Sequence, residues 1–358
     1  MGLGAAIRTG PAGPVDAEFG SALQIEVVER IGEATTYALR LPVVEESGDL
    51  SWLADRRVGP GQTLGVYVAA GQGDVCLVRG PVTGHSARLT HGIAGSYVDV
   101  LGADASIQLD RVFRTRVWEN ARDSDAVSAI VTEAGWGPDV TTTNAVHRSD
   151  LRSLAQADTD LRFVRRLARR NGYLAWLTTD ATSGVDTFHF KPAPLDASPS
   201  VSLSLNQSPS STGALELRWD SERPTAFTAE QHELGSASRL SAADTASPSR
   251  ALGAQRLADL VASPQTSRVV APSDDSADVK ARAEGAAVEA EWFVQASLET
   301  TLASTRNVIR SHEVIELNGA GSLHSGHWLV LGVRHTIEAT GHRMQVDLVR
   351  NAWGAHGS

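Results

Sequence analysis

The stretch DTDLRFVRRLARRNGYLAWLTTDATSGVDTFHFKP occupies residues 158–192 and carries the clearest structural signal in the chain. Two capping residues, Asp158 and Thr159, precede an apolar periodic run and Gly172 follows it, so a helix is predicted over residues 161–171. The apolar stripe of this helix consists of Leu161, Val164, Leu167 and Ala168. Two strands, YLAWLTT and DTFHFKP, come next and are joined by a turn. A helix that leads into paired strands predicts a small α+β unit.

The other face of this helix is a row of arginines: Arg162, Arg165, Arg166, Arg169 and Arg170. Guanidinium groups suit anions, so the row could bind phosphate. The competing interpretation is a solvated or intersubunit face. The formal net charge of −10 favours it, because carboxylates of a neighbouring subunit would be natural partners. Exposed ion pairs contribute only about 0–1 kcal/mol each, so their value would lie in fixing orientation. We therefore predict interface roles for Arg165, Arg166, Arg169 and Arg170.

The segments on both sides of this unit extend it. Upstream, DSDAVSAIVTEAG combines capping residues, apolar residues at helical spacing and a glycine stop, which predicts a helix over about residues 123–134. Downstream, LELRWDSERPTAFTAEQ is a strand candidate whose alternation places three apolar residues on one face: Leu215, Leu217 and Trp219.

Short strands dominate both ends of the chain. Residues 21–113 contain strand-like runs separated by glycine-rich turns, as in a sandwich or barrel. Near the C-terminus, a helix from about Val279 precedes four more strand-like runs. Residues 235–278 are rich in Ser and Ala and lack periodicity, so they are predicted to be an extended arm that clamps a neighbour. The boundaries that we assign are 1–20 for an N-terminal tail, 21–115 for the first β-domain, 116–234 for an α+β domain, 235–278 for the arm or loop, 279–353 for the second β-domain and 354–358 for a C-terminal tail.

The composition argues against several classes of protein. The acidic net charge disfavours general phosphate binding, so no nucleic-acid partner is expected. No apolar run approaches the ~18 residues of a membrane span. The N-terminal residues lack the features of a signal peptide, so we expect the chain in the cytosol unless a larger assembly carries it out. Cys76 is the single cysteine, which excludes an intramolecular disulfide, and its apolar surroundings predict a buried, inert thiol.

The sequence contains no familiar catalytic or metal-binding motif. The signatures of serine hydrolases, metalloproteases, P-loops and dinucleotide sites are absent from it. A glycosidase pair of Glu133 or Glu216 with Asp220 can be imagined, but 42 acidic residues offer many such pairs. The C-terminal histidines have no cysteine to complete a zinc set, so neither a metal nor a cofactor is predicted at His324, His327, His335 or His342. Five tryptophans beside apolar runs are expected to anchor cores or interfaces: Trp118, Trp136, Trp176, Trp219 and Trp292.

Two blocks of the sequence resemble the late-control D family of tail hub proteins. In the middle block, DSDAVSAIVTEAG and then SDLRSLAQADTDLRFVRRLARRNGYLAWL give a short helix, a polar gap and a second helix that leads into a Gly-aromatic strand. The ending, GHWLVLGVRHTIEATGHRMQVDLVRNAW, resembles the family's last barrel strands at Gly332, Val333, His335, Gly341, Leu348 and Arg350. The resemblance covers roughly residues 20–353.

This resemblance implies an α+β, mainly β chain with two related β-barrel hub domains and an α+β insertion between them. It implies a non-enzymatic baseplate hub, a homotrimer whose six barrels form a ring that joins a hexameric inner tube protein to a trimeric spike. Other baseplate proteins would surround it, and its lumen could enclose cargo. Because little sequence follows the last predicted strand, the spike is expected to be a separate protein, unlike in the fused valine-glycine repeat proteins. Assembly would take place in the cytoplasm, and the hub would then lie within the tail or injection particle.

Two other functions stay open at this point. A tail-associated peptidoglycan hydrolase would need a carboxylate pair, and a transcription factor would need a recognition helix, for which the sequence shows no pattern. The sequence leaves open whether the particle is a phage, a bacteriocin-like device or a cytoplasmic injection system.

Overall fold

The computed structural model describes residues 3–10, 13–71, 73–150, 152–232, 239–270 and 275–354. Strands make up 45% of the structure and helices 19%, which confirms the prediction of a mainly β protein. Short 3₁₀ helices lie at Ala17–Ser21, Arg56–Val58 and Ala105–Asp110. The N-terminal strands are β1 (Ala5–Thr9), β2 (Gln24–Arg30), β3 (Thr36–Pro42), β4 (Glu45–Glu46), β5 (Asp49–Leu50), β6 (Thr63–Ala70), β7 (Gly73–Arg88) and β8 (Tyr97–Ala103).

The middle of the chain contains both predicted helices, α1 (Asp123–Glu133) and α2 (Asp160–Asn171). The hydroxyl of Thr159 caps α2 by accepting a hydrogen bond from the Arg162 amide at 3.4 Å. Gly172 ends α2 in the left-handed conformation, at a φ of 66°. The two predicted strands after α2 are also confirmed, as β14 and β15. The strands of this region are β9 (Phe113–Trp118), β10 (Ala121–Arg122), β11 (Gly137–Val140), β12 (Val146–His147), β13 (Leu154–Thr159), β14 (Tyr173–Thr179) and β15 (Asp186–Pro192).

The rest of the chain, from Ser202 onward, returns mainly to strands. Its helices are α3 (Leu257–Leu260), α4 (Ser276–Ala290), α5 (Leu302–Thr305) and α6 (Gly321–His324). Its strands are β16 (Ser202–Ser204), β17 (Leu215–Trp219), β18 (Ala226–His232), β19 (Arg239–Thr245), β20 (Thr266–Val269), β21 (Val294–Thr301), β22 (Val314–Asn318), β23 (Gly326–Glu338) and β24 (Gly341–Arg350). None of the helices within the described ranges is long and apolar enough to cross a membrane.

One twelve-stranded sheet runs through both ends of the chain. Its strand order is β1-β6-β7-β8-β3-β2-β23-β24-β21-β17, and β22 also pairs with β23 and with β16. The two halves meet where β2 pairs antiparallel with β23, from Ile25 opposite Ile337 to Arg30 opposite Gly332. The first and last strands of the chain therefore belong to a single structural unit.

This arrangement corrects the expectation of two closed barrels. β2 pairs with a strand from the other half of the chain, so its edge is not available to close the N-terminal strands on themselves. Within the described residues, the outermost strands of the sheet, β1 and β17, do not pair with each other. The sheet is open, and neither half closes into a barrel.

The apolar core is divided between the sheet and the helices. The main cluster fills the sheet and includes Trp328, which is fully buried. A second cluster packs α1 and α2 onto β14 and β15 through side chains such as Ile130, Leu167 and Phe190. All four apolar residues predicted for the α2 stripe are buried. Cys76 is buried in β7, which confirms the predicted burial, and burial raises the pKa of its thiol, as expected for an unreactive cysteine.

Two segments differ from their predicted form. The strand candidate beginning at Leu215 forms two strands in different sheets, β17 and β18, because a turn that contains Pro224 separates them. The part of the 235–278 segment that the structure describes holds β19, α3 and β20, and β19 and β20 both pair with β18. These short strands pack on α4 mainly through alanines and single larger side chains, a pattern too weak to indicate strands in the sequence. Residues 235–238 and 271–274 lie outside the described residues.

Candidate functional site

Helix α2 is held in place by its apolar face and by the close crossing of α4. A Cβ atom on Gly285 of α4 would lie 2.5 Å from the carbonyl oxygen of Arg170, so only glycine allows this approach. Gly172, at the end of α2, faces Val288 of the same helix. The crossing fixes where the arginine side chains of α2 project.

The four arginines predicted at an interface separate into two pairs on adjacent faces of α2. Arg166 and Arg170 line a cavity of about 330 Å³ next to β12 and β13. Arg165 and Arg169 line a cavity of about 400 Å³ between α2, α4 and the sheet, which we call the α2–α4 cavity. Residues four apart on a helix lie on one face, which explains the pairing. The structure thus brings these residues together in twos rather than as one patch.

The cavity beside Arg166 and Arg170 contains an internal ion-pair network. Arg170 is mostly buried and forms an ion pair with Asp123, and its nearest approach to Asp278 is 3.9 Å. Asp123 also lies 2.8 Å from Nε2 of His147 and accepts a hydrogen bond from Asn171 at 2.7 Å. Burial lowers the pKa of Arg170 to about 10 and also lowers the pKa of His147. The ionic contacts of Arg170 in this structure are therefore with side chains of its own chain.

Arg166 differs from Arg170 because it reaches solvent. Its side chain is half exposed and lies 3.7 Å from Asp158, and its guanidinium stacks over the Phe163 ring at 5.3 Å. The carboxylate neighbour of Arg166 is on the preceding strand of the same chain, at nearly the distance that separates Arg169 from Glu289. An exposed pair of this kind contributes little to stability.

The α2–α4 cavity has a different character. Its floor is apolar and includes the buried side chains of Leu329 and Val349, with Trp292 beside them. Three arginines lie around it: Arg165 and Arg169 from α2, and Arg223 from the turn after β17. The geometry suits a ligand that is apolar at one end and anionic at the other.

The arginines of this cavity are only weakly paired. Arg169 is largely exposed and lies 3.8 Å from Glu289, near the limit of an ion pair. Arg223 donates a hydrogen bond to the carbonyl oxygen of Trp292 at 2.6 Å. Among the described residues, no carboxylate oxygen lies within 4.0 Å of the Arg165 guanidinium, and burial lowers the pKa of this side chain. Asp104, Asp110 and Glu33 act on Arg165 from beyond ion-pair distance, so the cavity keeps guanidinium groups that no carboxylate of the described residues pairs with directly.

The C-terminal histidines do not form a common site. His324 belongs to α6 and His327 to β23, whereas His335 and His342 meet in the core with Nδ1 and Nε2 3.0 Å apart. Nε2 of His335 lies 3.6 Å from the Glu29 carboxylate. Within the described ranges, no three His, Cys, Asp or Glu side chains are arranged to hold a metal ion.

The buried histidine pair should make the protein sensitive to acid. Burial, with the neighbouring His335 ring, lowers the pKa of His342 from 6.5 to about 4. As the pH falls, His342 is protonated in the unfolded chain before it is protonated in the folded one. The free energy of unfolding is therefore unaffected by His342 above pH 6.5 and decreases as the pH falls towards 4. Urea unfolding at pH 7 and pH 4 measures this decrease in the free energy of unfolding. In His342→Gln the decrease between the two pH values should be smaller than in the wild type by on the order of 2 kcal/mol. His91→Gln, in an exposed turn, is the control. Parallel pH profiles for His342→Gln and the wild type would contradict the assignment.

The acidic residues considered for glycoside hydrolysis lie on separate elements. Glu133, at the end of α1, accepts hydrogen bonds from Arg116 at 2.8 and 3.0 Å, and this pairing lowers the pKa of Glu133. A general acid in a glycosidase needs a raised pKa, so the environment of Glu133 is unsuitable. Glu216 lies on β17, at the edge of the twelve-stranded sheet, and Asp220 directly follows that strand, whereas Glu133 ends helix α1.

The tryptophans mostly anchor the fold. Trp118 stacks on Phe163 and Trp136 on Phe188, with ring centroids 6.5 and 6.1 Å apart. Trp176 lies between the rings of two histidines, His189 and His312, at 4.6 and 4.3 Å. Trp292 lines the α2–α4 cavity. Trp219 lies on the outermost strand, β17, and contacts Trp353. Its side chain is 53% exposed, so among these five tryptophans it is the one that is accessible to a partner protein.

Sequence reasoning missed Arg223 and Glu289, and also the buried pair formed by Glu29 and Arg310. Arg223 follows a turn and Glu289 sits among alanines on α4, so neither has a neighbouring motif that marks it. Only the long-range packing of α2, α4 and the sheet brings Arg223 and Glu289 to the α2–α4 cavity. The arginine row of α2 was the signal that the sequence did carry.

A comparison with protein-family models matches residues 29–341 to the phage tail baseplate hub (GPD) family. The chain belongs to this family. The match begins within β2 and ends at the start of β24, so it includes the α+β unit and most strands of the sheet of this baseplate hub, and it confirms the resemblance seen in the sequence. A comparison with curated proteins gave no match.

Solved structures share the fold of this baseplate hub along nearly its whole length. A tail protein from Neisseria meningitidis MC58 is 13% identical with a TM-score of 0.65, covering 98% of this chain and 97% of that one. The 43 kDa tail protein of prophage MuSo2 from Shewanella oneidensis is 15% identical with a TM-score of 0.62, covering 97% and 98%. An Escherichia coli component of the type VI secretion system is 12% identical with a TM-score of 0.58, covering 94% and 76%. At these identities the likeness concerns the fold.

Proposed function

We propose that this chain is the structural hub of a contractile tail or injection system, a homotrimer that joins a hexameric inner tube to a separate trimeric spike and has no enzymatic activity. The observation that carries the proposal is the family match over residues 29–341. The pairing of Glu133 with arginines, which lowers the pKa of this carboxyl, agrees with a structural role.

The symmetry of the proposed assembly would require two equivalent surfaces on each subunit. A trimer can match a hexamer only if each subunit offers two equivalent surfaces. The strands on either side of the β2–β23 pairing are candidates for these surfaces, since each half contributes a run of neighbouring strands. On the opposite side, the three subunits would meet the threefold spike directly.

Other contacts of the proposed hub follow from the same architecture. Further baseplate proteins would bind its outer face, and the central lumen could hold cargo. Arg165 and Arg169 project into an open cavity and remain candidates for such contacts, together with the exposed Trp219. The proposed trimer would form in the cytoplasm and then be built into the particle.

The mass of the purified chain and its assembly with tail proteins test this proposal. Native mass spectrometry should give three times the subunit mass. Co-expression with the tube and spike proteins of the same particle should yield a complex with one hub trimer per spike trimer. A monomer at all concentrations, with neither protein retained, would overturn the assembly. Clearing of a peptidoglycan suspension by the chain, absent from a mock preparation, would overturn the non-enzymatic part.

A further inference from the structure

The α2–α4 cavity combines an apolar floor with an excess of positive charge. Leu329 and Val349 are almost fully buried beneath it, and Leu331, Ile31 and Trp292 form its apolar sides. The charged residues that line the cavity are Arg165, Arg169, Arg223 and Glu289, so three positive charges against one negative charge leave a local formal charge of +2. This local charge is opposite in sign to that of the whole chain, which is −10.

The size of the cavity limits what can enter it. Its volume of about 400 Å³ lies within the range of roughly 300–1,000 Å³ that is typical of ligand sites. An apolar side chain would displace water from the partly exposed apolar sides formed by Ile31, Leu331 and Trp292, which is favourable, and carboxylates beside it would meet the guanidinium groups. A purely polar anion would leave these apolar sides hydrated.

We propose that the α2–α4 cavity binds a segment of a partner protein in which apolar side chains are flanked by carboxylates. The apolar side chains occupy the floor above Leu329 and Val349. The carboxylates receive charge-assisted hydrogen bonds from Arg165 and Arg223, which have no carboxylate partner within 4.0 Å among the described residues. Arg169, exposed and only loosely paired with Glu289, contributes a third donor group at the entrance.

The cavity on the neighbouring face of α2 serves as an internal comparison. Its two arginines from α2 each have a carboxylate of the same chain within 4.0 Å: Arg166 has Asp158, and Arg170 has Asp123 and Asp278. Arg148, Arg152 and Arg282 also line that cavity, so it is rich in arginine as well, but its sides lack the apolar surface that Ile31, Leu331 and Trp292 supply in the α2–α4 cavity. Arg166 is thus a matched control for Arg165: the two are adjacent on one helix and differ in the cavity that they line.

A fluorescence-anisotropy titration of the full chain tests the proposal. The probe is a dye-labelled, amidated peptide with the core Glu-Leu-Phe-Glu. The comparison peptides are Gln-Leu-Phe-Gln, which lacks the charges, and Glu-Ser-Ser-Glu, which lacks the apolar groups. The wild type should bind the first peptide at least about tenfold more tightly than either of the others. Arg165→Gln and Arg223→Gln should each weaken this binding about tenfold, whereas Arg166→Gln should leave it unchanged.

The result has clear alternatives. No saturable binding of the acidic apolar peptide by the wild type, or equal binding of all three peptides, would overturn the proposal. An equal loss in Arg165→Gln and Arg166→Gln, with thermal midpoints unchanged, would place binding elsewhere on α2 and would also overturn it. Binding is measured on the single chain, so failure of the trimer in the mass measurement and failure of this cavity are separate outcomes.

Discussion

Glu29→Gln should lower the free energy of unfolding by about 3–5 kcal/mol, because it removes one partner of a buried ion pair and leaves the other charge uncompensated. Glu29 is on β2 and is only 2% exposed. Its Oε1 accepts a hydrogen bond from Nε of Arg310 at 2.5 Å, and its Oε2 accepts one from the Ser311 amide at 3.0 Å. Burial alone would raise the pKa of Glu29, but Arg310 and His335 lower it to about 2.

The cost is large because Arg310 connects three parts of the sheet. Besides pairing with Glu29 of β2, it donates hydrogen bonds to the carbonyl oxygens of Cys76 and Leu77 in β7 at 2.8 and 2.9 Å. Arg310 itself lies in the loop between α5 and β22. A glutamine at position 29 can still accept one hydrogen bond, but it cannot balance the charge.

Urea unfolding at pH 7 measures this effect, with Glu26→Gln as the control. Glu26 is on the same strand, but its pair with Arg334 at 2.6 Å is partly exposed, so its loss should cost only about 0–1 kcal/mol. The depressed pKa of Glu29 gives a second signature. Its contribution is present above pH 4.5 and is lost as the pH falls towards 2, so the variant should lose stability less steeply in this window. Equal losses for the two variants would refute the role assigned to the buried pair.

Arg350→Met should cost about 3–5 kcal/mol, because it leaves several buried carbonyl groups without a donor. Arg350 is 1% exposed at the end of β24 and has no carboxylate partner within 4.0 Å among the described residues. It donates to the carbonyl oxygen of Leu252 at 2.7 and 3.0 Å and to that of Gly354 at 2.6 Å. A further bond at 3.2 Å reaches the Ser325 carbonyl. Methionine matches the length of the stem but donates nothing.

Arg343→Met is the matched control for this substitution. Arg343 is on the same strand, half exposed, and its contact with Glu338 at 3.5 Å is weak. Its loss should change the free energy of unfolding by no more than about 0.5 kcal/mol. The midpoint and slope of urea unfolding, followed by tryptophan fluorescence, distinguish the two variants. If Arg350→Met were as stable as Arg343→Met, the buried carbonyls would have to be satisfied by water instead.

The local elements could be predicted because their signals lie within a few residues of each other. Thr159 as a cap, Gly172 as a stop and the apolar spacing between them determine α2 almost to the residue. The strands β14 and β15 follow from their apolar residues and the turn between them. The arginine row was recognised for the same reason, since four of its members fall within six positions of one helix.

Long-range pairing could not be predicted in this way. The β2–β23 ladder joins residues about 300 positions apart. The sequence of either strand shows which residues alternate between its two faces, but it does not show whether the strand's edge closes a barrel or pairs with the other half of the chain. The α2–α4 cavity likewise combines α2 with Arg223, Glu289 and the floor residue Leu329, which come from separate parts of the chain. In the predicted arm, the strands are short and rich in small residues, so their alternation is weak.

The β2–β23 ladder also sets the order of events during synthesis. β2 leaves the ribosome early, but the strand that covers its edge is among the last to be made. Until then, the N-terminal strands present an uncovered edge to other nascent chains, which is a template for aggregation. This hub should therefore depend on chaperone binding during translation more than a protein whose strands pair in sequence order.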